Sequence, residues 1–117
     1  MMSTMAIEVI VLDHFRDWYE ELPDDEAAEV TVAIEELEEH GVRLGFPQSS
    51  AIKGTRFALR ELRRQVKGRP FRILYCFDPK RQAVVILGGD KGGDDRWYDR
   101  NVPKAEQLMR EYLDTLD

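Results

Sequence analysis

Short apolar runs alternate with amphipathic stretches along this chain, and their periods predict the elements in turn. Ile7 to Leu12 (IEVIVL) is short, β-branched and closed by Asp13, which predicts a first strand followed by a helix that the aspartate caps. Phe15, Trp18, Tyr19 and Leu22 recur at helical spacing before Pro23, so a short amphipathic helix should end there, with Trp18 in the core. Asp24, Asp25 and Glu26 open a second helix, where negative charge complements the dipole, and Ala27, Val30, Ile34 and Leu37 form its apolar stripe. His40 and Gly41 end it, the glycine as a left-handed terminal residue.

Residues 42–56 contain Gly45, Pro47, two serines and Gly54 without sustained periodicity and read as a connecting loop. Two strand-like segments follow, FALREL from Phe57 and FRILYCFD ending at Asp78, joined through RRQVKGRP as a hairpin. In the second segment Phe71, Ile73, Tyr75 and Phe77 share one face, and Arg72, Leu74 and Cys76 share the other. In the first, neither parity is cleanly apolar: Arg60 alternates with Leu62 while Arg63 alternates with Leu59, so which arginine faces Arg72 stays open, and a bulge would change the answer. After a turn at Asp78-Pro79-Lys80-Arg81, the run Ala83 to Leu87 (AVVIL) predicts an interior strand. A glycine-rich polar loop, residues 88–101, leads to a last helix starting near Val102 and Pro103, with Asn101 as its cap and Ala105, Leu108, Met109, Tyr112 and Leu116 as its apolar face. The predicted order is β-α-α-β-β-β-α: an α+β fold, a small antiparallel sheet with helices packed on one face and the other free.

Length adds one bound, since 117 residues suit a single domain over 1–117 with one hydrophobic core. Charge changes the picture more. Between Lys53 and Arg72 stand eight Lys/Arg residues and one acid, Glu61, a local +7 in a chain of net charge −6, while Ala6 to His40 holds thirteen acids against Arg16 alone. A phosphate feels the local field rather than the total, so the hairpin predicts an anionic partner. The single cysteine, Cys76, lies in an apolar strand and reads as structural. The start MMSTMAIEVIVLD shows no basic leader or membrane-length apolar run, which predicts a cytoplasmic protein.

Several chemistries fail on spacing. The glycine-rich segment lacks the Gly-Lys-Ser/Thr ending of a phosphate loop, does not open a crossover helix, and misplaces its aspartates for calcium. His14 and His40 lie in the acidic helical part, so zinc and Ser-His-Asp or Cys-His chemistry find no ligand set, and no metal or other cofactor is expected. What remains is cations with aromatics. Arg60, Arg63 and Arg72 on adjacent strands, Lys91 after the last strand, and Arg96, Trp97 and Tyr98 beyond it are placed to converge near one sheet edge. Arginine presents a planar fork to phosphate oxygens and an aromatic stacks on an unpaired base, a combination suited to single-stranded RNA.

The ordered combination of ELR in Glu61-Leu62-Arg63, FRILY with Arg72, an apolar strand ending in GGDK, and the closing GGDKGGDDRWY before a terminal helix resembles the RelE/ParE superfamily of type II toxins, in particular its HigB-like, phage-related branch. The resemblance implies a toxin held by a cognate antitoxin, the helix-turn-helix kind being expected, and a ribosome-dependent, metal-independent ribonuclease that cuts mRNA in the decoding site. Within it Arg72 and Arg63 are expected to stabilise charge on the phosphate, Lys91 to contact phosphate or move a proton, and Tyr98 to stack on a base or move a proton. Arg60, Arg96 and Trp97 are expected to bind RNA. The chain departs from the pattern in being acidic overall and in lacking the histidine that some members carry in the site. Two alternatives follow: a ParE-like toxin that inhibits DNA gyrase without cutting, and an interaction module whose basic hairpin docks an acidic partner.

Overall fold

A computed structural model describes residues 6–116, so the leader reading for residues 1–5 lies outside the described residues. The chain runs β1 (Val9–Val11), α1 (Asp13–Glu20), α2 (Asp24–His40), β2 (Ser49–Ala51), β3 (Arg60–Val66), β4 (Arg69–Phe77), β5 (Ala83–Asp90) and α3 (Trp97–Asp114). The five strands form one sheet in the order β1-β5-β4-β3-β2, antiparallel except for the β1–β5 pair. The α+β class and the order β-α-α-β-β-β-α therefore stand, with β2 as an added short strand inside the segment expected to be loop. Only three residues long, with two serines, β2 carries no period that sequence could show; it is held by its pairing to Arg60, Glu61 and Leu62.

The parity read in β4 holds: Phe71, Ile73, Tyr75 and Phe77 pack with Val30 and Leu37 of α2 and Phe15 of α1, whereas Leu74 and Cys76 pack with Trp97, Ala105 and Met109 of α3. The third helix thus covers the face expected to be free. Two apolar faces need two layers of cover, because each exposed strand face would otherwise leave large side chains in water. At Leu74/Tyr75 the β4–β5 register slips by one residue, Leu74 facing Leu87 and Tyr75 facing Val85. Ile86 and Leu87 consequently both face α3, and the two glycines after them fall on opposite faces. Their missing side chains are required: a Cβ on Gly88 would lie 2.5 Å from Trp18 Cζ3, and one on Gly89 would lie 2.8 Å from Trp97 Nε1. The GG pair is where two tryptophans press on the sheet from both sides.

Helix ends differ from expectation in two places. Asp13 is the first residue of α1 rather than its cap, and its carboxylate accepts from Arg16 one turn on. The last helix begins at Trp97, five residues before Val102, and the Asn101 side chain donates back to the Trp97 carbonyl instead of capping. Pro103 consequently sits inside α3. Between β3 and β4, Lys67 and Gly68 both adopt positive φ, the conformation a two-residue hairpin turn demands. Cys76 is buried, and burial with the nearby Asp78 charge pushes its thiol up to about 12, so it stays protonated and unreactive.

Candidate phosphate-binding site

The hairpin's charge divides between the two faces of the sheet. Leu62 and Val66 anchor β3 to the α2 face, which sends Arg60 and Arg64 the same way, while Leu59 packs on the α3 face together with Glu61 and Arg63. Arg64 hydrogen-bonds Glu29 of α2 through Nε and Nη2 and lies near Glu36; Lys67 pairs with Asp25, and Arg69 with Glu26 and Asp90. Much of the expected anionic partner is thus the chain's own second helix. Arg60 is also occupied on this face: its Nε donates to Ser49 Oγ and Tyr75 Oη, and its Nη2 lies 3.4 Å from the Leu44 carbonyl. It does not join Arg63 and Arg72.

On the α3 face Arg63 and Arg72 stand directly opposite each other across β3 and β4, and Arg72 in turn faces Gly89 on β5. Arg72 is nearly enclosed, its side chain 8% exposed, whereas that of Arg63 is 33% exposed. Between them sits Glu61, as deeply buried as Arg72. Glu61 Oε1 accepts the Tyr98 hydroxyl at 2.6 Å and lies 3.6 Å from Arg72 Nε, while Oε2 lies 3.7 Å from Arg63 Nη1. Both cation contacts are longer than a hydrogen bond. Arg72 donates through Nη1 to the Phe71 carbonyl at 2.9 Å, but its buried Nε has no hydrogen-bond partner. The Lys91 ammonium lies 6.0 Å from the centre of the Tyr98 ring, so a third cation stands over the same corner.

Burial raises the Tyr98 phenol above its ordinary value, and the Glu61 carboxylate that accepts its proton adds to the rise against the opposing pull of Arg72. At neutral pH Tyr98 is a donor. Past Leu62, which pairs with Ser49 at the start of β2, the β3 edge loses its strand cover after the Arg63 amide donates to the Gln48 carbonyl, and there a cleft of about 450 Å³ opens, lined by Pro47, Gln48, Arg63, Arg64, Gln65 and Arg72, with Glu29 at its side.

Of the seven residues singled out in the sequence, Arg63, Arg72, Lys91 and Tyr98 come together. Arg96 is exposed at the turn entering α3, where its amide is held by Asp94. Trp97 is 5% exposed and packed over Gly89, so its ring is not open to a base. Two residues escaped the sequence reading. Glu61 showed as the single acid in a basic run and as the first residue of the ELR triplet, but with no role assigned to it. Phe46, in the loop before β2, is 75% exposed and carries the Arg63 guanidinium over its ring at 5.0 Å, which makes it the open aromatic beside the cleft. Among the described residues no group of three or more His, Cys, Asp or Glu side chains is placed to hold a metal ion, and no helix is long and apolar enough to cross a membrane.

Residues 17–110 match the model of the phage-derived Gp49-like protein family. The chain belongs to this family. It is 43% identical over 107 residues to HigB3 of Mycobacterium tuberculosis, a protein named as a toxin, with 90% of this chain and 92% of the relative covered. It is 41% identical over 87 residues to HigB2 of the same organism, also named as a toxin, covering 72% of this chain but 43% of that longer relative. Among solved structures, an arginine-substituted variant of the Escherichia coli toxin RelE in the free state superposes with a TM-score of 0.58 at 10% identity, over 97% of this chain and 100% of that one. RelE of the archaeal RelE–RelB complex from Pyrococcus horikoshii gives 0.56 at 18% identity, over 76% and 99%. These solved structures share the fold, and the HigB relatives place this Gp49-like chain among the HigB-like toxins.

Proposed function

We propose that this HigB-like toxin is a ribosome-dependent mRNA endoribonuclease, that the cleft beside Arg63 and Arg72 receives the scissile phosphate, and that a cognate antitoxin restrains it. The observation that carries the reading is the pair of arginines facing each other across β3 and β4, with Lys91 and Tyr98 closing the same corner. The reaction follows from RNA itself: the ribose 2′-oxygen forms a bond to the adjacent phosphorus, the bond from phosphorus to the 5′-oxygen breaks, and a 2′,3′-cyclic phosphate and a 5′-hydroxyl result. One proton leaves the 2′-hydroxyl and one reaches the departing oxygen. The nucleophile is internal, so no metal-bound water is needed.

The phosphorane gains a second negative charge as it forms. Arg63, Arg72 and Lys91 carry +3 and Glu61 carries −1, so the corner is matched to a dianion rather than to the singly charged diester, the condition for stabilising the transition state more than the substrate. Tyr98 keeps its phenolic proton and acts as a donor, not as the group that accepts the 2′-proton. Phe46 takes the base-stacking part that Trp97, being buried, cannot. The ribosome would supply alignment of the attacking oxygen.

The test is to induce the chain in a bacterial host and map new mRNA 5′ ends for wild type and Arg63→Ala. Cuts within translated regions that vanish in the folded variant support the reading. Growth arrest with no new ends overturns it in favour of a toxin that acts by binding.

A further inference from the structure

We infer that Glu61 is a built-in anionic competitor for the RNA phosphate, holding down the affinity of the Arg63–Arg72 seat in the free protein. The inference rests on the seat being an RNA phosphate site, and deepens that reading by assigning how its affinity is set.

A buried guanidinium requires a counter-charge, and Glu61 provides it without satisfying the donors. Its one hydrogen bond within the site comes from Tyr98 at 2.6 Å; the contacts to Arg72 Nε and Arg63 Nη1, at 3.6 and 3.7 Å, neutralise charge across a gap. Arg72 Nε, enclosed and unpartnered, is left aimed at an acceptor that does not reach it. A carboxylate is planar with two oxygens. A phosphodiester offers two non-bridging oxygens on a larger tetrahedral centre, able to take both arginines at once at normal hydrogen-bond length. Tyr98 holds the carboxylate in its present place, so any phosphate entering the seat does so beside a fixed negative charge or by displacing it. Either way the ground-state diester binds less tightly than two arginines alone would bind it.

Removing that charge while keeping the side chain's length should therefore tighten binding. Glu61→Gln retains an oxygen to accept the Tyr98 hydroxyl, and Glu61→Met is a second uncharged side chain of similar length whose folding does not depend on how an amide orients there. Glu61→Asp keeps the charge. The probe is a short single-stranded RNA carrying 2′-O-methyl groups, which cannot be cleaved, titrated against the intact purified chain at several salt concentrations, with folding checked by circular dichroism.

Both uncharged variants are expected to bind at least about tenfold more tightly at low salt, one unit charge a few ångströms from the phosphate being a large effect at the dielectric of a half-enclosed site. The slope of log affinity against log salt should steepen by about 0.7, the value for one further phosphate contact on a single strand, and Glu61→Asp should keep the wild-type slope. If wild type binds and the folded uncharged variants bind equally or more weakly, Glu61 holds the arginines in position and the inference is overturned while the RNA reading stands. If neither wild type nor variants bind the oligonucleotide, the inference is overturned, while the ribosome-dependent reading stands or falls on the mapped mRNA 5′ ends.

Discussion

Replacing Arg72 by alanine tests whether the buried corner is an ion pair under tension or a passive packing contact. The substitution removes a guanidinium that is 8% exposed and leaves Glu61, equally enclosed, without one of its two cations. Breaking a buried pair from one side costs roughly 3–5 kcal/mol, because the surviving charge is stranded. Here Glu61 keeps the Tyr98 hydroxyl at 2.6 Å and Arg63 at 3.7 Å, and the lost contact was itself a loose 3.6 Å, so the lower part of that range applies, about 3 kcal/mol. Against a total stability of about 5–15 kcal/mol this is a large fraction. It should lower the melting temperature by roughly 10 °C for a chain of this size.

Urea unfolding at pH 7 gives the number directly. The double variant Arg72→Ala/Glu61→Gln removes the stranded charge and should recover about 1–2 kcal/mol relative to Arg72→Ala, a coupling that two independent contacts would not show. A loss below about 1 kcal/mol for Arg72→Ala, or a double variant less stable than the single one, would refute the reasoning. Loss of toxicity in Arg72→Ala mixes folding with chemistry. Arg63, a third exposed and paired only across 3.7 Å, is the cleaner probe, its removal costing under about 1 kcal/mol.

Two further outcomes concern the frame around the site. Gly88→Ala drives a methyl to 2.5 Å from the Trp18 ring and should cost about 1–3 kcal/mol by overpacking, measured by the same urea midpoints; an unchanged midpoint would show that α1 can shift away freely. Asp78 would be raised by burial, but hydrogen bonds from the Gln82 amide, the Tyr112 hydroxyl, the Gln82 side chain and the Lys80 amide hold it below the usual carboxylate value, while burial and then its bond to Asp78 push Tyr112 up to about 12. The Asp78 contribution is present above the ordinary carboxylate range and lost as pH falls through its lowered value. The Tyr112 contribution is complete below pH about 10 and lost as pH rises towards 12. Tyr112→Phe should therefore flatten the alkaline limb of the stability curve, and an unaltered limb between pH 10 and 12 would contradict the pairing.

The fold was largely legible because it rests on periods. β4 alternates cleanly, and the interior run of β5 and the stripe of α2 announce themselves. The strand β3 was legible but its facing was not, since Leu59 anchors one face while Leu62 and Val66 anchor the other, so no parity is wholly apolar. The second layer of cover, α3, was missed for a related reason: Leu74 and Cys76 look like a minor face until Met109 and Trp97 are seen on them. Of the residues expected in the candidate site, Arg63, Arg72, Lys91 and Tyr98, chosen by residue type and order, lie at one corner of the sheet. Arg60, Arg96 and Trp97 were grouped with them on nearness in sequence, which does not record which face a side chain takes or that Gly89 opens a seat for a tryptophan. The opposed charges of the hairpin and the second helix were visible, but that Arg64, Lys67 and Arg69 find their acids within the chain needed the three-dimensional packing.

The most direct measurement is cleavage by the purified chain on ribosomes programmed with a defined mRNA, comparing a normal message with one carrying a single 2′-deoxy sugar at the cut position, and wild type with Arg63→Ala. The account predicts a cut leaving a 2′,3′-cyclic phosphate on the normal message, none at the deoxy position, and at least a hundredfold loss in the folded Arg63→Ala chain, about the worth of one aimed donor to a developing charge. Cleavage that persists at the deoxy position, or full activity in Arg63→Ala, would contradict it.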